Sequence, residues 1–351
     1  MEKETIKVLM LGADRSVKGG VSGVVNNYYA AGIEDYVDIK YIGTMVDGSK
    51  LRKLFKAAEA YCKFLICYHR YDIIHVNMAS DNSYYRKLFF IKRAKKAGKK
   101  LVIHQHGGDV VNFYDKGMQG KKRQKMAEAL NGCDRFIVLD SEWVSFWEQF
   151  IDKDKIRVLS NGVFMPDEEP SDESYDNHNI VFLGRICRDK GIVELVDAVT
   201  NLKDKYPDIR LYIGGNMEET DLESVFSGKE DFIKRLGWIS ADERNRLMHE
   251  CSIFSLPSYY EGLPLSAIEA MSYGRAVVAT RAGGLGRIFN SGSDGILVEP
   301  KSEKQLEEAL DKVLSDSNLR HELGAKARVK ALSKYDIKTL VKELVSIYRE
   351  I

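Results

Sequence analysis

Short unbroken apolar runs alternate along this chain with longer stretches whose apolar residues recur three and four positions apart. A short run bounded by turn residues reads as a buried strand, and the longer spacing reads as a helix with one apolar stripe. The first half predicts strands at residues 6–11, 72–76, 100–104, 135–139 and 156–159, with helices between them that include 51–68, 84–97 and 119–131. The turn Ser160-Asn161-Gly162-Val163 and the polar, acidic stretch 164–178 then mark a crossing between domains. A second alternating series follows, with strands near 180–183, 209–213, 232–236, 252–256, 276–279 and 295–298. Strands that alternate with helices imply a parallel sheet covered on both faces. The predicted fold class is therefore α/β: two doubly wound, Rossmann-like domains facing a central cleft, spanning 1–163 and 164–335. The last predicted helix, 336–351, sets Leu340, Leu344 and Ile347 on one stripe and is expected to pack back on the first domain.

Length supports this division, since 351 residues exceed what one core usually holds. An apolar content of 44% with 30% charged residues excludes a disordered or membrane-spanning chain. The five cysteines are odd in number and widely spaced with no C-x-x-C, so reduced intracellular thiols are expected rather than disulfides or a zinc site. Met1-Glu2-Lys3-Glu4 runs straight into a strand pattern, so no signal peptide is expected. No apolar run approaches the roughly 20 residues of a membrane span.

Charge changes the picture more. The net value is +1, but residues 1–160 hold 28 Lys and Arg against 19 Asp and Glu, and the remainder 25 against 33. The basic residues gather at 50–56, 86–100 and 116–125, the second cluster beside Tyr84, Tyr85, Leu88, Phe89, Phe90 and Ile91. Basic residues beside aromatics suit the interface of an anionic membrane. The other reading is a solvated helix whose apolar residues face the core. The expectation is a cytoplasmic protein lying peripherally on the inner face of the membrane through its basic half. With no recognition motif and near-neutral charge, nucleic acid is not an expected partner.

Candidate chemistry sits where predicted strands end, as parallel sheets favour. Lys18-Gly19-Gly20-Val21-Ser22-Gly23 follows the first strand, and such glycines let a backbone approach phosphate. It is not G-x-G-x-x-G, which disfavours an NAD-dependent oxidoreductase. His104-Gln105-His106-Gly107-Gly108-Asp109 ends another strand. His104 should lie inside the strand, His106 is the better site candidate, and no third residue at a sensible spacing completes a metal site. Gly184-Arg185-Ile186-Cys187-Arg188-Asp189-Lys190-Gly191 opens the second domain. Its arginine fork and lysine point charge suit a diphosphate. Gly214-Gly215 and Gly237-Trp238 end the next strands, where backbone groups can meet a nucleoside. The 257–270 stretch then runs from a strand through a tight loop into a helix, with Pro264 suited to the first turn. The N–H groups of Gly262 and Leu263 lie just behind it, and Glu261 and Glu269 can flank an elongated polar ligand. A capped helix with two surface acids is the plainer alternative. Gly283-Gly284 reads as structural.

Taken together, Gly19-Gly20-Val21, His106-Gly107, Asn161-Gly162-Val163, Gly184-Arg185 with Lys190-Gly191, and Glu261 through Glu269 resemble the family-4 retaining glycosyltransferases of GT-B fold, in order along nearly the whole chain. The resemblance implies a UDP- or GDP-sugar donor as substrate, with no cofactor and no obligatory metal. Arg185 and Lys190 would hold the donor diphosphate beside Gly184, and Glu261 the sugar hydroxyls. The amides of Gly262 and Leu263 would lie beside Glu261, where Pro264 and Leu265 open the helix. Glu269 would bind the ribose, Gly215 and Trp238 would adjoin the nucleoside, Gly19 and Gly20 would admit the donor phosphate, and His106 would contact the reacting sugar. The acceptor would be a glycan or lipid-linked sugar, as in bacterial surface polysaccharide or glycolipid synthesis. Ser160 and Phe164 depart from the proline and aspartate many relatives carry, away from the implied chemistry. A non-catalytic GT-B subunit that binds a partner enzyme or glycan is the rival; intact Arg185, Lys190, Glu261 and Glu269 argue against it.

Overall fold

Strand β1 (Lys7–Gly12) is buried from its second residue onward and pairs in parallel with both β2 (Asp38–Gly43) and β3 (Ile73–Met78) in this computed structural model, which describes residues 5–107 and 110–351. Beyond β3 the sheet continues in parallel through β4 (Lys100–Gln105), β5 (Arg135–Val138) and β6 (Ile156–Val158), giving the order β2-β1-β3-β4-β5-β6. Strand order reverses between β1 and β3, and a crevice outside the carboxyl ends of the strands forms at such a point. The buried polar residues of this sheet are His75 and Asn77 of β3 and His104 and Gln105 of β4, all but His75 in the carboxyl-terminal halves of their strands. Asn77 donates from Nδ2 to the Leu11 carbonyl at 3.2 Å.

Every expected strand of the first half is present within two residues of its predicted bounds. Strand β2 is not among the expected strands, because Asp38 and Lys40 interrupt its apolar residues. As the edge strand it keeps an alternating face exposed, which tolerates those charges. Helix α1 (Gly20–Ala30) starts from Gly19 without a side-chain cap. Helix α2 (Lys50–Cys67) is capped by Ser49, whose Oγ accepts from the Arg52 N–H at 3.3 Å. Helix α3 (Asn82–Lys96) buries Tyr84, Phe90, Ile91 and Ala94. It also buries Lys87, which removes that residue from the basic surface expected for this stretch. Tyr84, Lys87 and Ile91 are spaced i, i+3, i+7, so Lys87 falls on the core face, where its Nζ donates to Thr44 Oγ1 and burial pushes its pKa well down.

The chain divides into two units, residues 1–162 with 337–351, and residues 163–336. The C-terminal helix Ile337–Arg349 thus belongs with the first sheet. Its Tyr348 hydroxyl lies 2.6 Å from His75 Nδ1, and Glu350 accepts from Nε of both Arg135 and Arg157 at 2.8 Å.

The second unit repeats the architecture with different strand neighbours. Its strands are β7 (Asn179–Leu183), β8 (Arg210–Gly214), β9 (Ile233–Gly237), β10 (Ile253–Leu256), β11 (Ala276–Thr280) and β12 (Ile296–Val298). They run parallel in the order β12-β11-β10-β7-β8-β9, so order reverses between β7 and β10. The α/β reading with two Rossmann-like halves holds.

Candidate functional site

In the second unit the loops leaving β7 and β10 meet at the strand-order reversal. After β7 the chain makes a short turn at Arg188–Lys190 and leaves it through Gly191, at φ +68°. A side chain on Gly191 would meet the Pro257 carbonyl oxygen at 2.0 Å, and the Tyr259 N–H donates to the Asp189 carbonyl at 2.8 Å. The two loops are therefore tied backbone to backbone. This contact brings Lys190 Nζ within 2.5 Å of Glu261 Oε1, with only 16% and 10% of the two side chains exposed. Ser258 Oγ donates to the same oxygen at 2.7 Å, and Thr280 Oγ1 donates to the Ser258 carbonyl.

Gly283 and Gly284 support this loop from behind, which gives the structural reading a specific form. Gly284 N–H donates to the Glu261 carbonyl at 2.9 Å. A Cβ on Gly284 would come within 1.5 Å of the Gly262 oxygen, and one on Gly283 within 2.0 Å of the Glu261 oxygen. Pro264 takes the cap position with extended backbone, one residue before the helix Leu265–Ser272. Its carbonyl accepts the first helical bond from Ile268. The start of such a helix presents N–H groups without intrahelical partners, a setting that favours acceptors and anions.

Glu269 stands apart from Glu261 and pairs with a residue the sequence did not single out. It lies on the helix with 14% of its side chain exposed, 3.1 Å from an Arg244 guanidinium nitrogen. Burial raises its pKa and Arg244 partly opposes that. Arg244 sits on the helix Ala241–Glu250, capped by Ser240, and no spacing rule links it to Glu269.

Arg185 is more than half exposed and bonds Glu218 Oε2 at 2.7 Å. Gly215, which lines a pocket at this edge, also packs on Gly184: a Cβ on Gly215 would meet the Gly184 oxygen at 1.7 Å. Beyond Gly215 opens a pocket of about 520 Å³, whose lining includes Ile186, Asn216, Arg235 and Gly237. Trp238 follows it, with 55% of its surface exposed. Pocket, Arg185 and the Lys190–Glu261 pair thus succeed one another along the carboxyl edge of β9, β8, β7 and β10.

In the first unit the candidate residues lie at the equivalent edge. Nothing stands within 4 Å of a Cβ built on Gly20, while Gly19 has ordinary contacts with Val17 and Ser22. His106 follows β4, and its N–H donates to the Met78 carbonyl at 2.8 Å. Its Nε2 lies 2.7 Å from Asn77 Oδ1, an acceptor, which fixes the proton on Nε2. Its ring stacks on His104 with centroids 4.0 Å apart, and His104 lies 5.5 Å from His75. Burial holds His106 down to about 3, so the imidazole is neutral near pH 7. No sequence pattern marks Asn77, a lone asparagine in an apolar strand. Gly108 and Asp109 of this motif lie outside the described residues. Among the described residues no group of three or more His, Cys, Asp or Glu is placed to hold a metal ion, and no helix is long and apolar enough to cross a membrane.

Two family models match successive parts of the chain: Glycosyltransferase Family 4 over residues 30–164 and Glycosyl transferases group 1 over residues 166–330. The chain is 31% identical over 287 residues to D-inositol 3-phosphate glycosyltransferase of Pseudarthrobacter chlorophenolicus, covering 75% of this chain and 67% of that protein. It is 30% identical over 169 residues to the N,N'-diacetylbacillosaminyl-diphospho-undecaprenol alpha-1,3-N-acetylgalactosaminyltransferase of Campylobacter jejuni, covering 48% and 44%. The chain spans about half the length of several such curated relatives. Among solved structures it resembles HepE of Anabaena in complex with UDP and glucose, with a TM-score of 0.78 at 19% identity over 99% of this chain and 100% of that one. That likeness supports the GT-B fold.

Proposed function

This chain belongs to the group 1, family-4 glycosyltransferases, and from that premise we propose that it moves a sugar from a nucleotide-diphosphate donor to a glycan or lipid-linked acceptor with retention at the anomeric carbon. The observation that carries this is the Lys190–Glu261 pair at the reversal of strand order, in line with Arg185 and the 520 Å³ pocket. The base of a UDP- or GDP-sugar enters the pocket, its ribose reaches Glu269, its diphosphate lies on Arg185 and Lys190, and its sugar hydroxyls meet Glu261. Arg185 exchanges Glu218 for the phosphate, a planar fork moving from one anion to another. Gly20 leaves room for the donor phosphate. His106, as a neutral imidazole oriented by Asn77, contacts a hydroxyl of the transferred sugar.

The acceptor hydroxyl oxygen bonds to the anomeric carbon on the face from which the diphosphate departs. The bond from that carbon to the phosphate oxygen breaks, and the departing phosphate takes the hydroxyl proton. Arg185, Lys190 and the start of the helix at Leu265 stabilise the charge that develops, where one good donor is worth about 3–4 kcal/mol. A double displacement would need a second carboxylate poised as nucleophile, for which the sequence offers no candidate at an acceptor site. We place the protein at the inner face of a bacterial membrane, in surface polysaccharide or glycolipid synthesis. HepE of Anabaena was crystallised with UDP and glucose, which makes a UDP-sugar the first donor to try.

Thermal shifts with UDP-, GDP- and ADP-sugars test the donor, since a ligand at 100 times its Kd adds about 2.7 kcal/mol. An NMR time course of the product tests retention, and an inverted anomer overturns it. A protein that neither binds nor hydrolyses any nucleotide-sugar is instead the non-catalytic subunit.

A further inference from the structure

Helix α2 is apolar on two opposite sides. Its core side carries Ala60, Phe64 and Cys67. At about 100° per residue, Leu51, Leu54, Phe55, Cys62, Leu65 and Ile66 fall within about 120° of arc on the other side. Leu51, Leu54, Phe55 and Ile66 each keep between 67% and 73% of their surface exposed. One exposed leucine is ordinary, but a stripe along a whole helix marks an interaction surface.

Helix α3 extends the stripe. Tyr85, Phe89, Lys92 and Lys96 follow one another at i, i+4, i+7 and i+11 on its outer side, and all are exposed. The Phe89 ring lies 6.0 Å from Tyr61 of α2, so the two helices present one continuous face.

Charge selects the occupant. The one acid within α2 is Glu59, which pairs with Lys56 and Lys63 of the same helix, and α3 has none. Arg52 and Lys63 border the apolar stripe on one side. A nucleic acid has no use for the leucines and phenylalanines, and a protein partner gives no reason for a rim that is basic apart from Glu59, itself held by two lysines. An anionic leaflet accounts for both, with acyl chains for the stripe and headgroups for the rim.

We propose that α2 and α3 form a membrane-insertion face, with Leu51, Leu54, Phe55 and Ile66 among the acyl chains of an anionic leaflet and Arg52, Lys63, Lys92 and Lys96 at its headgroups. The proposal rests on the peripheral placement suggested above and adds insertion of a defined face to it.

Cys62 supplies the test, because it lies in the stripe and is exposed while the other four cysteines are buried. The full chain, labelled at Cys62 with an environment-sensitive fluorophore, is mixed with phosphatidylcholine vesicles and with vesicles that also contain phosphatidylglycerol. The expected result is a blue shift and shielding from aqueous iodide on the anionic vesicles alone. The unlabelled double variant Leu54→Asp, Phe55→Asp should bind those vesicles at least about tenfold more weakly, as the loss of two buried apolar side chains implies. It should keep the parent's melting temperature and nucleotide-sugar binding. Anionic vesicle binding with an unshifted label and an unaffected double variant overturns insertion and leaves peripheral attachment standing. No vesicle binding at low salt overturns both. Self-association of the parent that the double variant abolishes, without vesicle binding, assigns the face to a second copy of the chain and overturns the proposal. Nucleotide-sugar binding, read in parallel, reports on the enzyme reading independently.

Discussion

Both units carry a six-stranded parallel sheet with one reversal of strand order, yet the polar groups at the two reversals are held differently. In the second unit an ion pair, Lys190–Glu261, is fixed by loops in direct backbone contact through Gly191, Gly283 and Gly284. In the first unit the groups are uncharged: His106 is oriented by Asn77 and backed by His104 and His75, and the glycine loop at Gly20 faces open space. Opposed charges in a fixed frame suit one invariant ligand, and here that is the proposed donor diphosphate and sugar. A neutral imidazole beside an open loop adds little electrostatic selection, which suits contact with an uncharged hydroxyl such as the one proposed for His106. The comparison is sharpest where the same change is made in both halves.

The largest effect belongs to the ion pair. Lys190→Ala removes a diphosphate contact and leaves Glu261 shielded from water without its cation. Transfer should fall about 10²- to 10³-fold, as for the loss of one strong transition-state donor. Glu261→Gln keeps the shape of the loop and should lower kcat more than nucleotide affinity, while Glu269→Ala should do the reverse. Steady-state kinetics and nucleotide titration on the three variants separate these roles. If all three lose only stability, the glutamates belong to a capped helix and have no ligand.

Glycine-to-alanine changes come next, with opposite signs expected in the two units. Gly284 has φ −62° and ψ −31°, a backbone that alanine accepts freely. Only the Gly262 oxygen, 1.5 Å from the new Cβ, forbids it. Gly284→Ala should displace the Glu261 loop and cost about 1–3 kcal/mol, as overpacking does, with donor binding lost alongside. Gly20 opens α1 and has nothing in front of it, so Gly20→Ala should raise stability by up to about 1 kcal/mol through the unfolded state. Its activity should nevertheless drop if the donor phosphate comes close. Calorimetry and kcat/KM measured on both variants decide. A stable, fully active Gly20→Ala protein removes the first glycine loop from the site.

What the sequence disclosed follows the same division. The inner strands β1, β3 to β5, β7, β10 and β11 were legible because strands buried on both faces read as apolar runs, and the half-buried β8 and the edge strands β6, β9 and β12 through the apolar residues they still carry. The edge strand β2, with Asp38 and Lys40, was not. Lys190 and Glu261 could be singled out because each stands in a loop where glycine or proline marks a turn. Nothing in the sequence said that the two would touch, since 71 residues separate them and the contact depends on β7 lying beside β10. Arg244 and Asn77 were missed for the same reason: their partners are fixed by tertiary packing and not by local spacing. Gly184 and Gly215 show the converse. They were singled out as glycines at strand ends, but the need for glycine at Gly215 comes from the carbonyl of Gly184. The exposed stripe of α2 was hidden too, because periodicity finds apolar positions without telling which of two apolar faces the core takes.

The smallest expected effect concerns acid. Burial holds His75 and His106 down to about 3 and His104 well below its ordinary value. In the unfolded chain these imidazoles take up protons near pH 6.5, so below that the unfolded state binds protons that the folded first unit refuses. Stability from this cluster is complete above about pH 6.5 and is lost as pH falls toward 3, by at most about 1.4 kcal/mol per histidine per pH unit. Glu269 in the second unit has the opposite sign. Its pKa is raised from 4.5, so the folded state holds a proton that the unfolded state has released. Its contribution is complete below 4.5 and is lost as pH rises through the folded value. Mild acidification from pH 7 to 5.5 should therefore loosen the first unit before the second. Hydrogen exchange, corrected for its intrinsic pH dependence, should show lost protection in β3 and β4 while β10 and β11 keep theirs. Equal loosening of both sheets, or undiminished protection of β3 and β4, would mean that the three histidines are not held neutral in the core, and the contrast between a charged and a neutral half would fail.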